Sequence, residues 1–198
     1  MADNLSLLDV DTPALLVYHS PDAVPSIQLM RTGTMKRLWA PWRMPYLTGE
    51  NKVEGCLFCV KIAEDRDAQN LIVYRGPRSF LILNLYPYSN GHLMAVPYQH
   101  VPSIEDLDDE TLLDLMHTVN IGIKALREVM HPHGFNVGIN MGRAAGAGIA
   151  DHVHIHIVPR WDGDTNFMPV LGEVRVIPQA LDETYAQLKA ALGTITAP

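Results

Sequence analysis

A strict alternation of polar and apolar residues constrains this chain more than any other feature. In His152-Val153-His154-Ile155-His156-Ile157-Val158-Pro159-Arg160, three histidines alternate with β-branched residues. Successive side chains of a strand point to opposite faces, so the three imidazoles share one side and Val153, Ile155 and Ile157 the other. The apolar side can enter a core while the histidine side faces a pocket. Histidine titrates nearer neutrality than any other side chain, so three on one face point to acid–base, nucleophilic or metal chemistry. A merely wet face would be served equally well by Ser, Thr or Lys.

The chain around this strand is long enough for one domain with a real core, at 198 residues. A net charge of -7 argues against broad phosphate neutralisation, and so against a nucleic-acid binder, while leaving a small anionic ligand open. No apolar run approaches bilayer-spanning length, and no membrane partner is expected. No Lys or Arg precedes Arg31, the reverse of a secretory signal, and two closely spaced cysteines make no disulfide framework. A cytoplasmic setting is expected.

Residues 1–34 carry scattered Asp and Pro with no sustained period, and read as an extension, mobile or peripherally packed. Met35 opens a denser sequence, so the single domain is placed at 35–198. Leu71–Tyr74 and Phe80–Leu83, separated by Arg75-Gly76-Pro77-Arg78-Ser79, form a hairpin pattern. His92–Val96 reads as a third strand. Ser103 and an acidic turn then start a long helix with Leu112, Leu115, Met116, Val119, Ile123, Leu126 and Met130 on the face toward the sheet. Phe135, Val137 and Ile139 alternate as a fourth strand, the histidine segment is the fifth, and Leu181, Tyr185, Leu188 and Leu192 mark a final helix. The expected class is α+β: an antiparallel five-stranded meander with a long crossover helix and a C-terminal helix, not an alternating βαβ fold.

Cys56-Leu57-Phe58-Cys59 has the spacing of one edge of a tetrahedral zinc site, although two cysteines alone are a weak signal. Asn140 to Gly148 is rich in Gly and Ala, which lets backbone N–H groups approach a phosphate. It is neither a Walker loop nor a dinucleotide fingerprint, because it lacks Gly-Lys-Ser/Thr and leads into a strand.

His-φ-His-φ-His-φ-φ, with φ apolar, resembles the signature of the histidine triad (HIT) superfamily of nucleotide hydrolases and transferases. Asn84-Leu85-Tyr86-Pro87-Tyr88-Ser89-Asn90-Gly91-His92-Leu93-Met94 is similar to that superfamily's upstream strand–turn–strand. Leu38-Trp39-Ala40-Pro41-Trp42-Arg43, Pro132–Gly138 and Trp161–Phe167 resemble its diadenosine tetraphosphate phosphorylase-like branch. The resemblance spans about residues 35–180 and implies the HIT fold.

The resemblance implies that His154 attacks an α-phosphorus, forming a phosphoramidate that splits one difficult displacement into two easier ones. His156 and His92 are then expected to hydrogen-bond phosphate oxygens, and Asn84 to bind ribose hydroxyls. Many HIT hydrolases hold phosphate with Gln and Ser or Thr where this chain has Ala147, Gly148 and Ile149. Backbone amides of Ala147 and Gly148, with Asn140, are the expected donors here. Some HIT proteins complete a structural zinc site with histidines that correspond to His100 and His152, joining Cys56 and Cys59. No organic cofactor is implied, and a homodimer or higher homo-oligomer is. Three rival readings stand beside the phosphorylase: a phosphoramidate or dinucleoside polyphosphate hydrolase of the same fold, an enzyme binding one metal through all three triad histidines, and a non-catalytic nucleotide-binding module.

Overall fold

A computed structural model describes residues 55–164 and 177–196. The expected extension at 1–34, the motif at 38–43 and the end of the 161–167 motif therefore lie outside the described residues. Among the described residues no helix is long and apolar enough to cross a membrane.

Two short helices, α1 (Leu57–Ala63) and α2 (Asp67–Asn70), lead into the hairpin of β1 (Ile72–Arg75) and β2 (Ser79–Leu83). Strand β3 (Leu93–Pro97) follows, then the long helix α3 (Asp109–Met130), β4 (Gly134–Ile139), β5 (Ile155–Arg160) and α4 (Leu181–Ile195). All ladder pairs are antiparallel, in the spatial order β1-β2-β3-β5-β4. The first three strands form the expected meander. The crossover helix then carries the chain to the far edge, and β5 returns into the gap between β3 and β4. The histidine segment consequently lies inside the sheet, with Met94 and Gly138 opposite His156 on its two flanks.

The sheet separates two apolar clusters. Leu81, Leu83, Leu93, Ala95, Val153, Ile155 and Ile157 meet α3 and α4 on one face. Phe58, Phe80, Ile82, Met94 and Val96 pack on the other. Alternation assigns His154 and His156 to this second face, away from the long helices. The ladder of β5 begins only at Ile155; Val153 is anchored just before it, its N–H donating to the Val101 carbonyl at 2.7 Å. The apolar side nevertheless keeps its period, since Val153, Ile155 and Ile157 are all buried.

The long helix differs from expectation at its start and on its face. Ser103 precedes only a short 3-10 turn (Ile104–Asp106), and the cap of α3 is Asp108, whose carboxylate accepts from the Thr111 N–H at 2.7 Å. The buried stripe is Thr111, Leu115, Thr118, Val119, Gly122, Ala125 and Leu126, whereas Leu112 and Met116 are exposed. Small residues win the inner face because the helix lies close on the sheet. A Cβ at Gly122 would stand 3.1 Å from Ile157 Cδ1 and 3.2 Å from Leu81 Cδ2.

Gly91 seats the turn before β3 against the same helix. Its φ is +72°, and a Cβ there would lie 2.6 Å from Met130 Sδ and 2.8 Å from Leu126 Cδ2. The Gly91→Ala variant combines left-handed backbone strain with overpacking, and is expected to lose about 1–3 kcal/mol of stability. Denaturant unfolding measures this; an unchanged midpoint would contradict the packing described.

Candidate active site and metal centre

The histidines of the second face form a chain of ring contacts, and the hydrogen-bond partners of each ring fix where its proton sits. For His154 the partner is a carbonyl, which can only accept. Its Nδ1 lies 2.9 Å from the His152 carbonyl oxygen, so Nδ1–H donates and the Nε2 lone pair is left for chemistry. Burial holds this imidazole below the usual histidine range, partly offset by that same backbone bond. The neutral form with a nucleophilic Nε2 is therefore the resting state near neutrality.

The neighbouring pair is fixed from the other end. Tyr88 N–H donates to His92 Nδ1 at 3.1 Å, and the Asn84 amide nitrogen lies 3.3 Å from the same atom. Asn84 cannot be turned around, because its Oδ1 accepts from the Tyr86 N–H at 2.9 Å. His92 must then carry its proton on Nε2, which donates to His156 Nδ1 at 3.0 Å. By the same logic His156 carries its own proton on Nε2. A nucleophilic nitrogen on His154 and a donor N–H on His156 thus belong to rings whose centroids are 4.8 Å apart. Across the ladder, a Cβ at Gly138 would meet nothing within 4 Å, so the sheet leaves space beside His156.

His92 is held from both of its ring nitrogens. It is fully buried, with Nδ1 turned to Tyr88 and Asn84 and Nε2 turned to His156. Its Nε2–H is thereby directed at His156, whose tautomer it sets. Asn84 is half-buried and braces the Tyr86 turn and His92, an arrangement that orders the turn whatever the side chain does toward a ligand. In the loop, Ala147 already spends its N–H on the Gly142 carbonyl at 3.3 Å, so that amide is committed within the turn. Gly148 is exposed in the same loop. Asn140 is half-buried and follows Ile139, which pairs with Ile155; extending the register by one residue brings it alongside His154.

His152 looks away from these rings. Its Nε2 donates to the Pro97 carbonyl at 2.9 Å, which turns the Nδ1 lone pair toward Cys56 Sγ at 3.3 Å and Cys59 Sγ at 3.6 Å. Cys59 Sγ is also 3.3 Å from His100 Nδ1. The four ligand atoms all lie within 4.8 Å of one another. Donors of a tetrahedral zinc with N and S ligands stand roughly 3.3–3.8 Å apart, so the set suits such an ion after slight contraction. The backbone acceptor on the far nitrogen of His152 is the kind of support that metal-bound histidines use. A single ion held by all three triad histidines does not fit, because the Nδ1 of His152 faces the cysteines and its Nε2 is spent on the Pro97 carbonyl.

Two residues at the site were not singled out from the sequence. Phe58 is fully buried and meets His152 and His154 edge-on, at ring centroid distances of 5.4 and 5.1 Å. Tyr88 stacks on His156 at 5.8 Å as well as supplying the N–H that orders His92. The one sequence signal for Phe58 is its position between the cysteines. Nitrogen-15 NMR of the imidazoles at neutral pH is expected to show His154 as the Nδ1–H tautomer and His92 and His156 as Nε2–H tautomers; an Nε2–H form of His154 would contradict the geometry.

The model of the HIT domain matches residues 65–163. A protein of Mycobacterium tuberculosis named AP-4-A phosphorylase is 42% identical over 157 residues, covering 76% of this chain and 80% of that protein. The adenosine 5'-monophosphoramidase hnt1 of Schizosaccharomyces pombe is 32% identical over 108 residues, or 54% of this chain and 69% of that protein. Among solved structures, a Zn-bound histidine triad family protein from Mycobacterium smegmatis superposes with a TM-score of 0.59 at 28% identity, over 71% of this chain and 95% of that one. With the triad running into a central strand and this extent of similarity, the chain belongs to the HIT domain family.

Proposed function

We propose that the protein is a nucleotidyltransferase that takes a nucleoside monophosphate from a dinucleoside polyphosphate onto His154 and passes it to inorganic phosphate. The observation that carries this reading is the Nδ1–H bond of His154 to the His152 carbonyl, which leaves a neutral Nε2 able to attack phosphorus. Similarity to the M. tuberculosis AP-4-A phosphorylase supports the substrate class and the phosphate acceptor.

With diadenosine tetraphosphate, His154 Nε2 bonds the terminal α-phosphorus as the P–O bond to the leaving triphosphate chain breaks, and ATP departs. The imidazole keeps Nδ1–H, so the His152 carbonyl faces the positive charge that develops on the ring. His156, with its proton on Nε2, donates to an oxygen of the phosphate chain. His92 and the Tyr88 N–H hold that tautomer in place. Phosphate oxygen then attacks the adenylyl phosphorus, the N–P bond breaks, the lone pair returns to Nε2, and ADP leaves. Asn84 and Asn140 are the side chains proposed for ribose and phosphate, with the Gly148 amide as a backbone donor.

Cys56, Cys59, His100 and His152 are proposed to hold a structural zinc ion, supported by their spacing and by the Zn-bound relative. Zinc there supplies cross-linking between α1, the segment after β3 and the start of the triad, and takes no part in the transfer. Two cysteines used as metal ligands suit a reducing, cytoplasmic setting. A homodimer is also part of the proposal, since Leu112, Leu113 and Met116 leave an exposed apolar strip on α3.

Product analysis tests the reaction. Purified protein is expected to yield ADP and ATP from diadenosine tetraphosphate only when phosphate is present, and the His154→Asn variant to lose at least ~10³-fold in kcat. AMP and ATP formed regardless of phosphate would replace the phosphorylase with a hydrolase. For the metal, elemental analysis should find one zinc per chain in the wild type and none in Cys56→Ser/Cys59→Ser, with a lowered Tm; equal Tm values would remove the structural role.

A further inference from the structure

We propose that Phe58 is a positioning residue for His154, a buried wedge that aims the nucleophile and ties its aim to the Cys/His cluster. The proposal rests on the nucleotidyl-transfer reading above.

A hydrogen bond at Nδ1 pins one corner of the His154 ring, but it leaves the ring free to tilt about that corner. What limits the tilt is packing. Phe58 lies on one side of the ring, at 5.1 Å between centroids and 62° between planes, and His156 lies nearby at 4.8 Å and 69°. Phe58 is fully buried, and what it meets in this structure are the two imidazoles and Phe80. It is itself backed by Phe80, edge-on at 6.4 Å, in the cluster on the triad face of the sheet. In-line attack is sensitive to such aim, because a misplacement near 1 Å can cost about 100-fold in rate.

The second half of the proposal follows from where Phe58 sits. It is in the first turn of α1, with Cys56 at the cap position and Cys59 next in sequence. The same ring meets His152 at 5.4 Å. Both restraints on His154, the Phe58 ring and the His152 carbonyl, therefore belong to residues in or beside the Cys/His cluster. Whatever fixes α1 against His152 also fixes the nucleophile.

Phe58→Leu tests this because it keeps an apolar filler of the core while removing the flat ring edge. Turnover of diadenosine tetraphosphate with phosphate, zinc content, Tm and the imidazole nitrogen-15 signals are measured on the full chain. The variant is expected to keep its zinc and a KM within about twofold, to lose about 10- to 100-fold in kcat, and to shift or broaden the His154 signals. A milder replacement, Phe58→Tyr, should restore much of kcat if it keeps zinc, since the ring edge returns. An unchanged kcat in Phe58→Leu would overturn the proposal, as would a loss that tracks zinc release or a raised KM. No turnover by the wild type would instead sink the underlying reading.

Discussion

One hydrogen bond organises the chemistry of this protein: Nδ1–H of His154 to the main-chain carbonyl of His152, two residues earlier. It decides which nitrogen of the central histidine is nucleophilic, and it does so without a carboxylate partner. A buried carboxylate at that position would raise the imidazole's basicity and favour its cationic form. A carbonyl orients the ring while burial keeps it neutral. The bond is possible because the segment leaves the ladder before Ile155, so that the carbonyl of His152 is available to a side chain rather than to a neighbouring strand.

The rest of the fold serves to hold that segment still. Long helices α3 and α4 cover only one face of the sheet, where Val153, Ile155 and Ile157 anchor the strand. On the other face, among the described residues, α1 with Phe58 stands at one end and the Tyr88–His92 turn at the other. Insertion of β5 between β3 and β4 gives the segment hydrogen-bonded neighbours on both sides. The result is a segment that carries the Cys/His cluster at His152, the proposed nucleophile at His154 and an N–H donor at His156.

Much of this was legible in the residues. Alternation fixed the faces of the histidine segment, and the cysteines found their histidine partners through the family resemblance. Legibility failed where a small residue or a main-chain group decides. Thr118, Gly122 and Ala125 look unlike a core face, yet their size lets α3 approach the sheet, which leaves Leu112 and Met116 outside. No pattern in the sequence shows that the Tyr88 N–H and His156 stand at the two nitrogens of His92. No periodicity reveals that β5 returns to an inner position, because the choice depends on where the crossover helix sets down β4. Phe58 enters the sequence reading only as a spacer between two cysteines, and its distance from two imidazoles gives it a further part.

The most direct test of the central claim is to mix the protein with diadenosine tetraphosphate in the absence of phosphate, quench in alkali, and map the modified peptide by mass spectrometry. The mechanism predicts an adenylyl group on His154 that disappears, with release of ADP, when phosphate is added before the quench. An adenylyl group on His152 or His156, or none in a preparation that turns over, would contradict it.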